Sequence, residues 1–107
     1  MLHIKINDIL YPASILIYKQ DHNWDMREDI EITVNMFMAE AESTFVDNLV
    51  WSTIEVDPQT GDPIAETEID RSEYCCAGPI LDYRNGTVTV KMGKLTDHEL
   101  LEIITGE

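Results

Sequence analysis

Positive charge is scarce in this sequence: 7 Lys and Arg stand against 21 Asp and Glu in 107 residues, a formal net charge of −14. Binding to nucleic acid or to anionic membranes depends on basic groups that displace counterions, so no direct nucleic-acid partner and no membrane partner is expected. A charge-led partner should be basic. Long apolar runs are lacking too. The longest, Ile15 to Tyr18, is far shorter than the roughly 20 residues of a membrane span, and no basic stretch, apolar segment and cleavage site open the chain. Export by a standard signal is not expected.

Cysteine is confined to the neighbours Cys75 and Cys76. Their Cα atoms lie about 3.8 Å apart, below the usual disulfide range, and in a strand their side chains would point to opposite faces. They read as small core residues in a reducing cytoplasm. The five glycines form neither a phosphate-cradling loop nor a Gly-x-Ser-x-Gly elbow, and His3, His22 and His98 are scattered without the spacing of a zinc site. An acidic neighbourhood raises a thiol pKa and weakens it as a nucleophile. Hence no catalytic residue, no metal ligand and no cofactor is assigned.

What the chain does have is periodicity. Hydrophobic residues make up 44% of it, enough for a folded chain, and no linker, repeat or low-complexity segment divides it, so residues 1–107 read as a single domain. Leu2, Ile4 and Ile6 alternate with polar residues, Asn7-Asp8 fits a two-residue primed turn, and Ile9–Tyr11 and Ile15–Tyr18 follow. Pro12 marks that second strand as an edge or a bent strand. After a polar loop from Gln20 to Asp29, Ile30, Ile32, Val34 and Met36 give the cleanest strand. From Phe37 to Leu49 the recurrence of Ala41, Phe45 and Leu49 predicts a short amphipathic helix. Val50–Val56, the turn Asp57–Pro63 and Ile64–Asp70 make a long hairpin. Tyr74–Ala77 and Ile80–Tyr83 are short strands, and Asn85-Gly86 turns the second back into Val88, Val90 and Met92. Thr96 with Glu99 forms a capping box, Leu95 can staple to Leu100, and Gly106 follows, so residues 97–104 should be helical. The expectation is an α+β domain: a curled, mostly antiparallel sheet of six to eight short strands, barrel-like in its curl, with a short central helix and a short C-terminal helix.

The acidic residues are unevenly spread. Residues 20–73 hold 15 carboxylates against Arg27 and Arg71, a balance of −13. In a strand, Glu66, Glu68 and Asp70 would form a row about 6.7 Å apart on one face. With Val50, Ile54 and Val56 inward, Trp51, Thr53 and Glu55 point outward, and Glu55 falls opposite Glu66. Such opposed like charges are either diluted by solvent on an outer face that discourages aggregation, or kept for a cation or a Lys/Arg partner. Trp51 on that face is either covered by the protein's own fold or open to a partner. Trp51, Glu55, Glu66, Glu68 and Asp70 are therefore the candidate interaction residues. Asp21-His22-Asn23-Trp24-Asp25 matches the start of a calcium loop, but Met26 replaces the required Gly and Ile32 the bidentate Glu, which favours an ordinary loop with Asx turns. Asn85-Gly86-Thr87 is a glycosylation sequon that the turn already explains.

Taken in order, Asp25-Met26-Arg27, Ile30 to Met36, Ala39-Glu40-Ala41, Phe45-Val46-Asp47 with Trp51, Ser72-Glu73-Tyr74-Cys75, Ala77-Gly78 and the run Arg84 to Lys94 resemble small uncharacterised proteins of bacteriophages and of prophages in Gram-positive bacteria. In that group the first turn reads more often as Asn-Gly, and the long hairpin is longer; both departures touch loops. The resemblance implies a non-enzymatic structural or assembly protein of the tail or baseplate region. Its partners would be other phage structural proteins or further copies of itself as a homo-oligomer. It would reside in the bacterial cytoplasm before assembly and then in the virion. The alternative is an acidic mimic of nucleic acid that inhibits a host DNA-binding protein, and a third, weaker reading is a divalent-cation-dependent hydrolase.

Overall fold

The computed structural model describes residues 1–105. Its elements in chain order are β1 Leu2–Ile6, β2 Ile9–Asp21, β3 Arg27–Asn35, α1 Met38–Thr44, β4 Ser52–Val56, β5 Pro63–Asp70, β6 Cys76–Ala77, β7 Leu81–Asp82, β8 Thr87–Gly93 and α2 Asp97–Thr105. The strands form one antiparallel sheet in the order β5-β4-β1-β2-β3-β8-β6, with β7 also paired to β8. The expected α+β domain is therefore present. Its sheet is curled but open, so the barrel-like part of the expectation is corrected: β5 and β6 end the order without meeting.

The curl comes from β2. Its residues Ile9–Pro12 pair with β1, while Ala13–Asp21 pair with β3. Between them the register shifts at Ile15, whose φ is +48°. One extra residue at a bulge bends a strand and sharpens its twist. The bend brings Ile4 and Ile6 of β1 into a common core with Ile30, Ile32 and Val34 of β3 and Val88, Val90 and Met92 of β8. Pro12 thus lies on a bent strand, not at the sheet edge; pairing to β3 begins only at Ala13, so its missing N–H costs little there.

Local signals set the turns. Asn7 and Asp8 take φ values of +51° and +64°, as the primed turn requires. Asn85 accepts the Thr87 backbone N–H in an Asx turn, with Gly86 at φ +87°. Several boundaries differ from those expected. The loop after β2 is only residues 22–26, because Lys19, Gln20 and Asp21 pair with Asp29, Glu28 and Arg27. Helix α1 stops at Thr44; Asn48 then turns left-handed at φ +66° and donates its N–H to the Cys75 carbonyl at 2.7 Å. Leu49 still packs on the core from outside the helix. Along residues 50–56 the expected faces are wrong at their start: Val50 is exposed while Trp51, Thr53 and Ser52 are buried. Trp51 fills the core edge against Phe45, ring centroids 6.1 Å apart and perpendicular, and its indole N–H donates to the Tyr74 carbonyl. The expected position of Gly106 lies outside the described residues.

Candidate functional site

The five residues expected to face a partner are mostly engaged by the fold itself. Trp51 is covered. Glu55 is opposite Ile64, not Glu66, because β5 carries extra residues between Ile64 and Ile69 where β4 has only Ile54. Thr67 ties this bulge, its hydroxyl accepting the Glu55 N–H at 2.8 Å and donating to the Ile64 carbonyl. The bulge breaks the even spacing of the carboxylate row. Glu55 pairs with the N-terminal ammonium at 2.9 Å. Glu68 meets Lys5 at 3.2 Å and accepts the Ser52 hydroxyl; Lys5, then Ser52, hold its carboxyl below the usual range. Asp70 accepts the Ser72 N–H, and the Ser72 hydroxyl, then that N–H, lower its carboxyl. Glu66 is exposed. Among the described residues no group of three or more His, Cys, Asp or Glu is placed to hold a metal ion.

A different cluster lies on the outer face of β3 and β8. The turn after β2 reverses through positive φ at Asp25 and Met26, with Asn23 bonded to the Asp21 carboxylate in the Asx turn expected there. This lays Trp24 over the sheet, where its ring covers Arg27 at 4.8 Å and Lys91 at 5.4 Å. Gly93 permits the approach: a Cβ there would stand 2.4 Å from Arg27 Cδ and 2.9 Å from the Trp24 ring. Lys91 bridges Asp21, in a short contact, and Asp29 at 3.9 Å. Asp29 is buried, and neither carboxylate oxygen has a hydrogen-bond partner. Burial pushes its carboxyl up, against the opposing pull of Lys91.

Arg27, only 5% exposed, fastens α2 to this layer. Its guanidinium donates to both Glu99 oxygens, at 2.7 and 3.1 Å, and to the Lys94 carbonyl at 2.7 Å. The same Glu99 Oε1 accepts the Thr96 N–H at 2.8 Å, while the Thr96 hydroxyl accepts the Glu99 N–H, so the expected capping box is present and doubles as the anchor of the helix. Arg27, with help from the Thr96 N–H, holds the Glu99 carboxyl down at about 2. Cys76 Sγ lies 3.3 Å from Arg27 Nη1. Both cysteines border one cleft of about 360 Å³ beside Trp24 and Asp47, a correction to the opposite-face expectation that follows because Cys75 precedes β6. Burial pushes the Cys76 thiol up to about 11, which keeps it protonated at neutral pH.

The consequence is an inverted amphipathic helix. α2 turns the polar side bearing Glu99 to the body and leaves Leu100, Leu101, Ile103 and Ile104 exposed at 43, 58, 64 and 80%. Next to it runs an open groove of about 880 Å³ between α2 and the turn after β2, bordered by the carboxylates of Asp25, Glu28, Asp97, Glu99 and Glu102 and also by Arg27, Lys94 and His98. Sequence reasoning named Thr96 and Glu99 only as a cap and missed Arg27, Trp24, Asp29 and Lys91. The available signal was that Arg27 and Asp29 occupy the outward phase of an otherwise clean strand. In class, this is a small open-sheet α+β domain with an outward-facing apolar helix, and no helix among the described residues is long and apolar enough to cross a membrane. In comparisons with known proteins, the chain matches no family model, no curated protein and no solved structure.

Proposed function

We propose that this protein is a non-enzymatic assembly component of a bacteriophage or prophage tail or baseplate, acting through protein–protein contacts. The observation that carries the reading is the exposed apolar face of α2, four large side chains that contribute nothing to the protein's own core. Contiguous apolar surface of this kind costs solubility in a free domain and is retained where a partner covers it. The resemblance to small phage proteins supplies the setting. The hairpin edge offers less: β5 is bulged and carries Glu66, Glu68 and Asp70, the devices by which sheet edges resist pairing with another chain. The mimicry alternative is weakened by the same bulge, since a phosphate-like row needs even spacing, and by the pairing of Glu68 with Lys5.

The test is genetic. A stop codon early in the gene, in a phage or inducible prophage that carries it, should yield filled heads with absent or incomplete tails in electron micrographs, with DNA replication unaffected. Intact infectious particles would overturn the assembly role.

A further inference from the structure

We propose that α2 and the acidic groove beside it receive a basic amphipathic helix from a different protein. This rests on the assembly reading and adds the chemistry of the partner. Two adjoining features, linked at Asp97 on the helix face of Leu101, point the same way. The apolar arc Leu100, Leu101, Ile103 and Ile104 is unpartnered. Its flank is the groove, where Arg27 is taken up by Glu99 and Lys94 by Glu28, while Asp25 and Asp97 are exposed and in no ion pair among the described residues. An occupant must therefore bring an apolar stripe with Lys or Arg along one side, which is how amphipathic helices fill grooves.

A second copy of this chain fits less well. It would bring acid against acid at the groove and set two molecules of net charge −14 against each other. The arc alone belongs to a nine-residue helix and falls well short of the ~800 Å² per partner typical of a stable interface. A basic partner extends the contact into the groove, and the field of the whole molecule steers it there. Holding α2 by its polar side is what makes this possible: Arg27 neutralises Glu99 and leaves the opposite side free for docking.

The experiment uses the whole protein and two synthetic helical peptides that share a leucine stripe, one otherwise rich in lysine and one in glutamate, followed by fluorescence anisotropy at about 50 and about 300 mM NaCl. The lysine peptide should bind and the glutamate peptide should not. The double variant Leu101→Ser/Ile104→Ser should weaken binding roughly tenfold or more. Asp97→Asn with Asp25→Asn should weaken it less and flatten its salt dependence, while Ile69→Ser on β5 should leave it unchanged. All substituted side chains are exposed, and circular dichroism checks that each variant folds. Binding that ignores Leu101→Ser/Ile104→Ser would be diffuse charge attraction and would overturn the proposal. Light scattering that finds a dimer lost in that variant would overturn it in favour of a second copy, with the assembly reading intact. Absence of both peptide binding and self-association would also overturn it, and the tail phenotype then decides the assembly reading separately.

Discussion

Asp29 is a buried carboxylate held for its neighbours and not for itself. With about 1% exposure, two oxygens without hydrogen bonds and only Lys91 at 3.9 Å, its charge costs more in lost hydration than the ion pair returns. Its pKa is raised on folding, so it adds stability at a pH below the ordinary carboxylate value and withdraws it as the pH rises through the raised one. Asp29→Asn should therefore raise stability by about 1 kcal/mol at neutral pH. Urea unfolding at about pH 7.5 and about pH 4 checks this, and the gain should shrink at the lower pH, because the raised pKa lets the native carboxyl take up its proton before the unfolded one does. A loss of stability at neutral pH would mean that the attraction to Lys91 outweighs desolvation. Lys91 keeps Asp21 as a partner in either case.

At the scale of elements, Glu99 is the carboxylate by which Arg27 holds α2 to the sheet. Glu99→Gln separates its two tasks, because a glutamine can still close the capping box but loses the charge that Arg27 binds. We expect the docking of α2 to weaken by about 1–2 kcal/mol, read as faster amide hydrogen exchange in residues 97–105 with β3 and β8 unchanged. The pH dependence has the opposite sign to that of Asp29. A pKa lowered from 4.5 to about 2 stabilises above the ordinary value and is lost as the pH falls through that interval. The native helix should therefore loosen between about pH 4.5 and about pH 2 and the variant should not respond there. Unchanged exchange in Glu99→Gln would show that other contacts hold the helix.

Over the whole molecule, a net charge of −14 sets up self-repulsion in the folded state. Residues 20–73 carry 15 carboxylates against Arg27 and Arg71, and the exposed ion pairs such as Lys5–Glu68 and Lys19–Glu31 return little in water. Salt screens the repulsion of the whole more than it costs those few pairs. Raising NaCl from about 20 to about 500 mM should raise the melting temperature by a few degrees, about what 0.5–1 kcal/mol produces in a domain of this size. A fall in melting temperature would place the ion pairs, not the net charge, in control.

Features decided within a few residues were written in the sequence. The Asn7-Asp8 and Asn85-Gly86 turns and the Thr96–Glu99 box each close over two to four positions, and the alternation of Ile30 to Met36 repeats every second residue, so local sterics and hydrogen bonds suffice to specify them. The antiparallel α+β class followed from adding such pieces together. The alternation read from Val50 to Val56 failed because Trp51 lies before the strand and is placed by Phe45 and the Tyr74 carbonyl, neither of which the alternation contains. Likewise the β5 bulge depends on how β4 and β5 meet, and two registers satisfy the same alternating pattern. The site was the least legible part, since Arg27 and Glu99 stand 72 residues apart. Only the tertiary structure decided that a well-capped amphipathic helix would dock by its charged side and leave its apolar side in water. The physical reason is that hydrophobic periodicity tells which faces of an element differ, while the orientation of those faces is fixed by the strongest contact the rest of the chain can offer, here a buried guanidinium.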